Sequence, residues 1–480
     1  MSGSEIIKPH EKKLFYGIGL GFILLNAIFT AQEIFWIGVL PFVMFLLFYL
    51  FVSVDKILWF IVFSTPLAIN VPIKDFGLAI SLPTEPLMIS ILAVFLLKLF
   101  YEGKLDRKLV YHPISLSILF YLGWMLITCV TSDLPAVSFK YFLSKMWFIV
   151  CFYYYGYFLF QKTQNINRFL WAYCIPFVLV IGYTVFEHSQ YGFDQKTANW
   201  VMSPFYNDHT AYGAMLAFFV PGLLGLSFMK DRPLFQRAVA FLFFLIFILA
   251  VVLSYSRAAW VSLAGALAFF SVLYFRINFK FILLSLVVLV IAYFSFREQL
   301  LVKLERNRQD SSTNITEHVR SISNISSDAS NLERLNRWQS AFRMFRERPV
   351  FGWGPGTYSF KYAPFQFSYE KTIISTNSGD RGNAHSEYIG PLAESGVLGT
   401  VSFLLMIVAI FYTGVRLYAR LALKNEKIIL VSLLAGLVTY FIHGALNNFL
   451  DTDKASVPFW GFIAGVVALD IYQKKKEAKA

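Results

Sequence analysis

Residues 238–253 read Ala-Val-Ala-Phe-Leu-Phe-Phe-Leu-Ile-Phe-Ile-Leu-Ala-Val-Val-Leu, an unbroken apolar run that ends at the turn Ser254-Tyr-Ser-Arg257. A helix needs about 20 mostly apolar residues to cross a bilayer core of about 30 Å. With its flanking residues, this run is long enough. Similar runs recur along the chain, so the stretch predicts the architecture of the whole protein, a bundle of membrane-spanning helices.

Composition supports that prediction and excludes a soluble protein. The chain of 480 residues is 57% hydrophobic and 18% aromatic, with a mean hydropathy of +0.59. A soluble protein of this length needs far more charged surface. The net charge of +13 is spread over short clusters between apolar runs and one large loop. Membrane topology and an anionic lipid-linked substrate explain this pattern better than nucleic acid does.

The apolar runs predict an all-α polytopic membrane protein with about 12–14 transmembrane helices. They centre near residues 22, 44, 64, 92, 122, 152, 177, 219, 245, 266, 288, 402, 437 and 465. The one long hydrophilic interruption divides them. Residues 1–296 are therefore predicted to hold the N-terminal transmembrane helices, residues 297–384 a large loop, and residues 385–480 the C-terminal transmembrane helices.

Charge predicts the orientation of these helices. Alternate connections are basic, including Lys98–Lys108, Lys162–Arg168, Lys230–Arg237 and Arg416–Lys427. By the positive-inside rule they lie in the cytoplasm, together with both termini, and the large loop then faces the periplasm. The loop carries about 13 Lys and Arg, which long translocated loops tolerate. This exception suggests that its positive charge serves a function.

The loop is predicted to contain amphipathic helices. Apolar residues recur at helical spacing from Leu332 to Phe345, which indicates a helix lying on or against the membrane, with Arg334, Arg337 and Arg343 on its polar face. The preceding segment, Arg306–Ser330, has the composition of a flexible linker. The glycine-rich run Phe351-Gly-Trp-Gly-Pro-Gly356 is not followed by Gly-Lys-Ser/Thr, so it is interpreted as a structural reversal and not as a phosphate-binding loop.

Arg257 is the sharpest signal for a binding site, because a charge between two apolar helices is costly. One interpretation is an anion clamp, since guanidinium matches phosphate bidentately and Ser254 and Ser256 add hydroxyl donors. The alternative is an arginine that snorkels to the lipid headgroups. Arg334 and Arg337 allow the same choice between anion binding and a solvated helix face.

His385 is the candidate general base. A neutral imidazole is the usual base for a sugar hydroxyl, and a nearby carboxylate, Glu387 or Glu394, can orient it or raise its basicity. We therefore expect titration near pH 6.5 or higher. The alternative is a polar helix cap. Asn207-Asp208-His209 and the segment His443–Asp453 could also contribute, although lining or capping is the favoured interpretation.

A metal site is not predicted. The sequence has no Asp-x-Asp motif on a predicted outer loop and no His-Glu-x-x-His motif. Its three cysteines, Cys129, Cys151 and Cys174, fall inside apolar runs at unrelated spacings and are interpreted as small buried hydrophobic residues. No cofactor and no ATP site are expected.

Three motifs together resemble the bacterial O-antigen ligase and O-antigen polymerase superfamily. They are Ser254-Tyr-Ser-Arg257, the run from Arg334-Leu-Asn-Arg-Trp338 through Arg348-Pro-Val-Phe-Gly-Trp-Gly-Pro-Gly356, and His385-Ser-Glu-Tyr-Ile-Gly-Pro-Leu-Ala-Glu-Ser-Gly-Val-Leu-Gly399. The resemblance covers about residues 200–410 in motif. The N-terminal half is similar only as hydrophobic helices.

The resemblance implies a metal-independent glycosyltransferase of the bacterial inner membrane that works on the periplasmic side with undecaprenyl-diphosphate-linked glycan donors. It implies that Arg257 and Arg334 hold the diphosphate, with Arg337 as the alternative to Arg334, and that His385 activates the acceptor hydroxyl. Transfer is expected to invert the anomeric carbon.

The two main functional alternatives, ligase and polymerase, differ in their acceptor. A ligase transfers the glycan to lipid A core in lipopolysaccharide biosynthesis, whereas a polymerase joins it to another lipid-linked repeat, and the motifs are closer to the ligase. A lipid-linked oligosaccharide flippase is an alternative from a different class. It would place charges at mid-bilayer within inverted repeats. The distinctive charges of this chain instead gather at one face.

Overall fold

The computed structural model describes residues 53–73, 78–277, 329–371 and 382–478, together with residues 21, 22, 26 and 375. The chain divides into two compact units, Met1–Ile57 and Leu58–Ala480. Nearly all the described residues belong to the second unit. The predicted linker and the predicted runs near residues 22, 44 and 288 lie almost entirely outside the described residues.

The described elements follow one another in chain order as α1 (Val54–Ser64), β1 (Ile69–Ile73), β2 (Leu78–Leu82), α2 (Thr84–Glu102), α3 (Arg107–Val110), α4 (Pro113–Val130), α5 (Pro135–Phe148), a π-helical segment (Ile149–Tyr154), α6 (Tyr155–Phe160), α7 (Gln164–Ser189), α8 (His209–Ser227), α9 (Leu234–Leu253), α10 (Arg257–Tyr274), α11 (Ala329–Glu347), α12 (Tyr358–Lys361), α13 (Ile389–Arg420), α14 (Lys424–His443) and α15 (Asp453–Glu477). Short 3₁₀ turns cover Thr65–Leu67, Thr197–Asn199, Ala363–Phe365 and Ser368–Glu370.

Nine helices in the described part of the chain are long and apolar enough to cross a membrane, namely α2, α4, α7, α8, α9, α10, α13, α14 and α15. They confirm the predicted all-α polytopic architecture. The run predicted near residue 152 is also helical, because α5, the π segment and α6 continue into one another.

The run predicted near residue 64 differs from a membrane span. Its helix, α1, has 11 residues, and a 3₁₀ turn containing Pro66 and an antiparallel hairpin follow it. In the hairpin, Ile69 pairs with Leu82. Proline lacks the backbone N–H that would continue a helix, and β-branched residues favour the strand. Hydropathy alone does not detect this change from helix to strand.

Helix α15 forms the centre of the bundle, since every residue from Asp453 to Ile471 is buried. A helix that is apolar all round is expected to be surrounded by protein, and α6, α13 and α14 pack around α15. At its start, Asp453 accepts hydrogen bonds from the Ser81 hydroxyl at 2.8 Å and the Thr84 hydroxyl at 2.6 Å. These bonds satisfy a buried carboxylate that would otherwise be costly.

The described part of the large loop packs on one end of the bundle, which we call the loop side. Helix α11 lies against α13. Its residues Ala341 and Met344 form an apolar core with Tyr358, Tyr362 and Ala393. This amphipathic helix was predicted to lie on or against the membrane, and the structure shows that one of its faces packs on protein.

Helix α13 is interrupted at Gly396, whose φ of 67° and ψ of −168° are not helical. The glycine turn, residues Phe351–Gly356, fits into this interruption. Trp353 N donates to Ala393 O at 3.1 Å, and Gly354 N donates to Glu394 O at 2.8 Å. The backbone of the loop thus pairs with main-chain groups that the broken helix leaves available.

Glycine is required at these positions. In the turn, Gly352, Gly354 and Gly356 all have positive φ, which glycine adopts without steric cost. A Cβ on Gly396 would overlap the carbonyl oxygen of Val350. The interpretation of the glycine-rich run as a structural reversal is therefore confirmed.

We expect Gly396→Ala to destabilise the fold by about 1–3 kcal/mol or more, because it combines an unfavourable φ with a backbone clash. Thermal unfolding of the purified protein in detergent measures the effect. Gly123→Ala is the matched control, since its Cβ would meet nothing within 4 Å. Equal melting temperatures for the two variants would contradict the role assigned to Gly396.

The predicted orientation can be tested with a matched pair of tyrosines. Tyr369 in the large loop is 79% exposed and Tyr101 at the end of α2 is 91% exposed, while the three native cysteines are buried. In spheroplasts, an impermeant maleimide should label Tyr369→Cys and should label Tyr101→Cys only after the membrane is disrupted. The reverse pattern would place the loop in the cytoplasm.

Candidate functional site

Arg257, Arg334 and His385 come together on the loop side, although they are far apart in sequence. Arg257 begins α10, Arg334 lies in the first half of α11, and His385 precedes α13. Both arginines interact electrostatically with His209, and Arg334 also acts on His385. Arg334 therefore links the other two predicted site residues, since it acts on His385 directly and acts on His209 together with Arg257.

A tight turn positions Arg257. Ser254 Oγ donates to Val251 O at 2.8 Å and accepts a hydrogen bond from Ser256 N at 3.3 Å. Both serines are buried, and Gly213 of α8 packs so closely on them that a Cβ there would lie 2.7 Å from the Ser256 Cβ. Ser254 therefore holds the turn, which differs from its predicted role as an anion donor.

The position of Arg257 favours an anion for a second reason. Arg257 is the first residue of α10, an 18-residue helix. The N-terminus of a helix carries a partial positive charge and backbone N–H groups that have no partner within the helix. The arginine and the helix end thus attract negative charge to the same place.

The structure distinguishes the two loop arginines. Arg337 is buried, its Nε lies 2.6 Å from Glu333 Oε1, and its guanidinium stacks over the Tyr362 ring at 4.0 Å. It therefore does not present its charge on a polar helix face, as the sequence predicted. Arg334 is only half-buried, and its Nε donates to Leu446 O at 3.2 Å in the α14–α15 connection.

His385 is not a helix cap. Helix α13 begins at Ile389, and Ser386 Oγ accepts hydrogen bonds from Tyr388 N and Ile389 N, both at 3.3 Å. His385 has a positive φ of 49°, which is uncommon for a residue with a Cβ. Strained backbone of this kind is often kept where a side chain must be held for function.

The environment of His385 keeps its imidazole neutral. Burial is the main cause that lowers the pKa of His385 to about 4, and the positive charges of Arg334 and Arg337 lower it further, with Asp208 and Glu333 opposing them. The expectation that His385 titrates near pH 6.5 or higher is therefore wrong. A neutral imidazole can accept a proton over the whole physiological range.

Glu387 has other partners than the predicted imidazole. Its Oε1 accepts hydrogen bonds from Tyr440 Oη at 2.6 Å, Phe449 N at 2.8 Å and Leu450 N at 2.9 Å. Its backbone N also donates to Gly444 O at 2.8 Å. Burial raises the pKa of this carboxyl, and Lys145 partly offsets the rise. Glu387 thus fixes the α14–α15 connection beside His385.

Sequence reasoning favoured a lining or capping role for His209 and His443 over a contribution to the site. His443 is buried beside the backbone of Ala258 and interacts electrostatically with Arg334 and His209. Asp208 caps α8, as predicted, through its Oδ1 and the backbone N atoms of Thr210 and Ala211. The sequence signal for both histidines is a polar residue at the loop-side end of an apolar helix. That signal does not show which helix ends lie next to one another.

Within the described residues, no group of three or more His, Cys, Asp or Glu side chains could hold a metal ion. The arginines are the groups that can balance anionic charge there.

We expect His385 in the free protein to resist protonation down to about pH 4, and Arg334→Gln to raise that midpoint because it removes a positive charge that disfavours imidazolium. Carbethoxylation of His385 as a function of pH, followed by mass spectrometry, measures the midpoint without relying on activity. Arg343→Gln is the control, because Arg343 bonds Phe365 O. A midpoint near pH 6.5 in the unsubstituted protein would contradict the account.

Residues 242–404 match a family model described as O-Antigen ligase. The matched segment contains Arg257, Arg334, the glycine turn and His385. No curated protein is similar enough to the chain to count as a relative. The match supports a membrane glycosyltransferase activity of the ligase or polymerase type. The chain is thus a multi-pass membrane protein whose residues 242–404 are similar to the O-antigen ligase family.

Proposed function

We propose that the protein transfers a glycan from an undecaprenyl-diphosphate donor to a sugar hydroxyl of lipid A core, at the periplasmic face of the bacterial inner membrane. The observation that carries this proposal is that Arg334 acts electrostatically on the neutral imidazole of His385 and, together with Arg257, on His209. The description of the matching family supports ligation. Polymerisation of lipid-linked repeats uses the same donor and is distinguished by its acceptor.

Arg257 and Arg334 are assigned to the donor diphosphate. Guanidinium groups bind phosphate oxygens bidentately and keep their charge at any physiological pH. The start of α10 adds helix N–H groups beside Arg257. Arg337 is assigned a positioning role instead, because Glu333 and Tyr362 already hold its guanidinium.

The chemistry requires a base and a stabilised leaving group. His385 takes the proton of the acceptor hydroxyl, whose oxygen attacks the anomeric carbon from the face opposite the diphosphate. The bond from that carbon to the diphosphate oxygen breaks, and its electron pair leaves with the diphosphate. The configuration is therefore inverted. Arg257 and Arg334 stabilise the developing negative charge electrostatically, so no metal is needed.

Donor binding also activates the base. With a pKa of about 4 in the free protein, His385 is a weak base. The diphosphate brings negative charge beside Arg334, offsets the positive charge there and raises the pKa of His385. A base is most effective when its pKa lies near the operating pH. Proton abstraction is thereby favoured only when the donor is present.

A reconstituted reaction tests the function. Purified protein is combined with lipid-diphosphate glycan and either lipid A core or no second acceptor, with excess EDTA throughout. We expect a product that requires the core, and a loss of about 10² to 10⁴-fold in His385→Ala with donor binding retained. Glycan chains formed without core would identify a polymerase, and inactivity reversed by Mg²⁺ would refute the metal-independent mechanism.

The arginine assignment predicts different results for four lysine substitutions. Arg257→Lys and Arg334→Lys should each lower turnover about 10-fold or more, because ammonium does not reproduce the guanidinium fork. Arg343→Lys is the control and should remain active, and Arg337→Lys should mainly lower the yield of folded protein. Turnover is measured per folded molecule in membranes. Near-normal turnover of Arg257→Lys would favour the snorkelling interpretation.

A further inference from the structure

Glu387 is a buried carboxylic acid beside the candidate base, and it takes no part in the proposed chemistry. It lies two residues after His385 and bonds the α14–α15 connection, residues 444–452. We propose that Glu387 is a positioning residue for the donor site, because it fixes the part of this connection that holds Arg334. This inference rests on the proposed function and adds to it a structural link between the base and the diphosphate site.

Glu387 bonds both ends of a short backbone segment. At the first end, Glu387 N donates to Gly444 O at 2.8 Å. At the second end, its Oε1 accepts hydrogen bonds from Phe449 N at 2.8 Å and Leu450 N at 2.9 Å. Tyr440 Oη of α14 donates to the same oxygen at 2.6 Å and orients the carboxyl group. The backbone between these contacts is therefore held at both ends by one residue.

The middle of this segment holds Arg334, whose Nε donates to Leu446 O at 3.2 Å. Leu446 N in turn donates to His443 O at 3.0 Å, so the segment leaves the end of α14 as a tight turn. A guanidinium group is planar, and a hydrogen bond at Nε therefore fixes the direction of its other N–H groups. The position of Leu446 O thus determines where Arg334 presents its positive charge.

Two other helices hold the far end of the same connection. Lys145 Nζ of α5 and Ser456 Oγ of α15 both donate to Leu450 O at 2.6 Å. Without the carboxyl group of Glu387, the amides of Phe449 and Leu450 would lose their acceptor, and a buried N–H group without a partner is costly. The connection would rearrange around its anchor at Leu450 O to satisfy these amides, and Leu446 O would move.

The reach of one oxygen atom, and not the charge of Glu387, performs this role. The three donors, Tyr440 Oη, Phe449 N and Leu450 N, all bond Oε1. Oε2 accepts no hydrogen bond within the part of the chain that the structure describes. Glutamine would place an amide oxygen at the same reach without the charge. Aspartate would keep the charge but is one methylene shorter.

Glu387→Gln and Glu387→Asp therefore test the inference as a pair, in nanodiscs and per folded molecule. We expect the donor KM to stay within about 2-fold in Glu387→Gln and to rise about 10-fold in Glu387→Asp, as for a displaced hydrogen bond to a charged group. The acceptor KM should stay within about 2-fold in both variants.

A second readout does not depend on transfer. Arg334 lowers the pKa of His385, so its displacement in Glu387→Asp should raise the pH midpoint of His385 carbethoxylation, whereas Glu387→Gln should leave the midpoint unchanged. Glu85→Gln and Glu85→Asp are the matched controls, because Glu85 Oε2 accepts a hydrogen bond from Ser81 N at 3.1 Å at the start of α2. They should leave both readouts unchanged, even where the yield of folded protein falls.

The outcomes separate positioning from charge and from mere stability. A higher donor KM in Glu387→Gln together with a normal value in Glu387→Asp would overturn the inference in favour of charge. A lower yield with unchanged donor KM and midpoint in Glu387→Asp would reduce Glu387 to a stabilising residue.

Tyr440→Phe decides the matter if Glu387→Asp does not fold. It keeps the ring but removes the hydrogen bond to Oε1 and the one that Tyr440 Oη accepts from Phe449 N at 3.2 Å. It should raise the donor KM and the midpoint, and unchanged values would overturn the inference. A midpoint that rises in Glu387→Asp but not in Glu387→Gln, in a protein that transfers no glycan, would reject the proposed function and retain the positioning role.

Discussion

The pairing between the glycine turn and the interrupted helix α13 is the interaction on which the loop side depends. Trp353 and Gly354 donate to the carbonyl groups of Ala393 and Glu394, and Val397 N donates to Pro349 O at 3.0 Å. These bonds attach the loop to a membrane helix through backbone groups, which have less freedom than side chains. Helix α11, and with it Arg334, is thereby held at a fixed distance from the segment that carries His385.

Side chains strengthen this attachment at its edge. Asp133, in the α4–α5 connection, bonds Arg348 at 2.5 Å and Lys361 at 2.8 Å, and these two cations hold the pKa of its carboxyl below the usual range. Arg348 also stacks over Trp353 at 4.1 Å. Partly exposed ion pairs contribute little by themselves. Here they connect the large loop, whose backbone is already bonded to α13, to helices α4 and α5 as well.

The sequence predicted what depends on local pattern. Hydropathy located the helices that span the membrane, helical spacing located α11, and the glycines of Phe351–Gly356 indicated a reversal. Arg257 was correctly placed at the turn between α9 and α10. Each of these features is encoded within about 20 consecutive residues, where period and backbone preference act directly.

What the sequence did not predict depends on residues distant in the chain. Glu387 is bound by Tyr440 and by the amides after it, more than 50 positions away, so its adjacency to His385 was misleading. Arg337 is held by Glu333 and by the Tyr362 ring, and the pKa of His385 is lowered by burial and by the arginines of α11. Charge pattern identifies such residues as important without assigning their roles.

The π-helical segment Ile149–Tyr154 has a consequence for how this chain compares with others. Such a segment accommodates an extra residue within a helix, and one residue turns an α-helix by about 100°. Side chains of α6 that pack on α15 are therefore out of register with those of α5, where Lys145 Nζ donates to Leu450 O at 2.6 Å. A relative without the π-helical segment would need one residue fewer at this point to keep the buried faces of both α5 and α6. A gap placed anywhere else in this helix would align buried positions with lipid-facing ones.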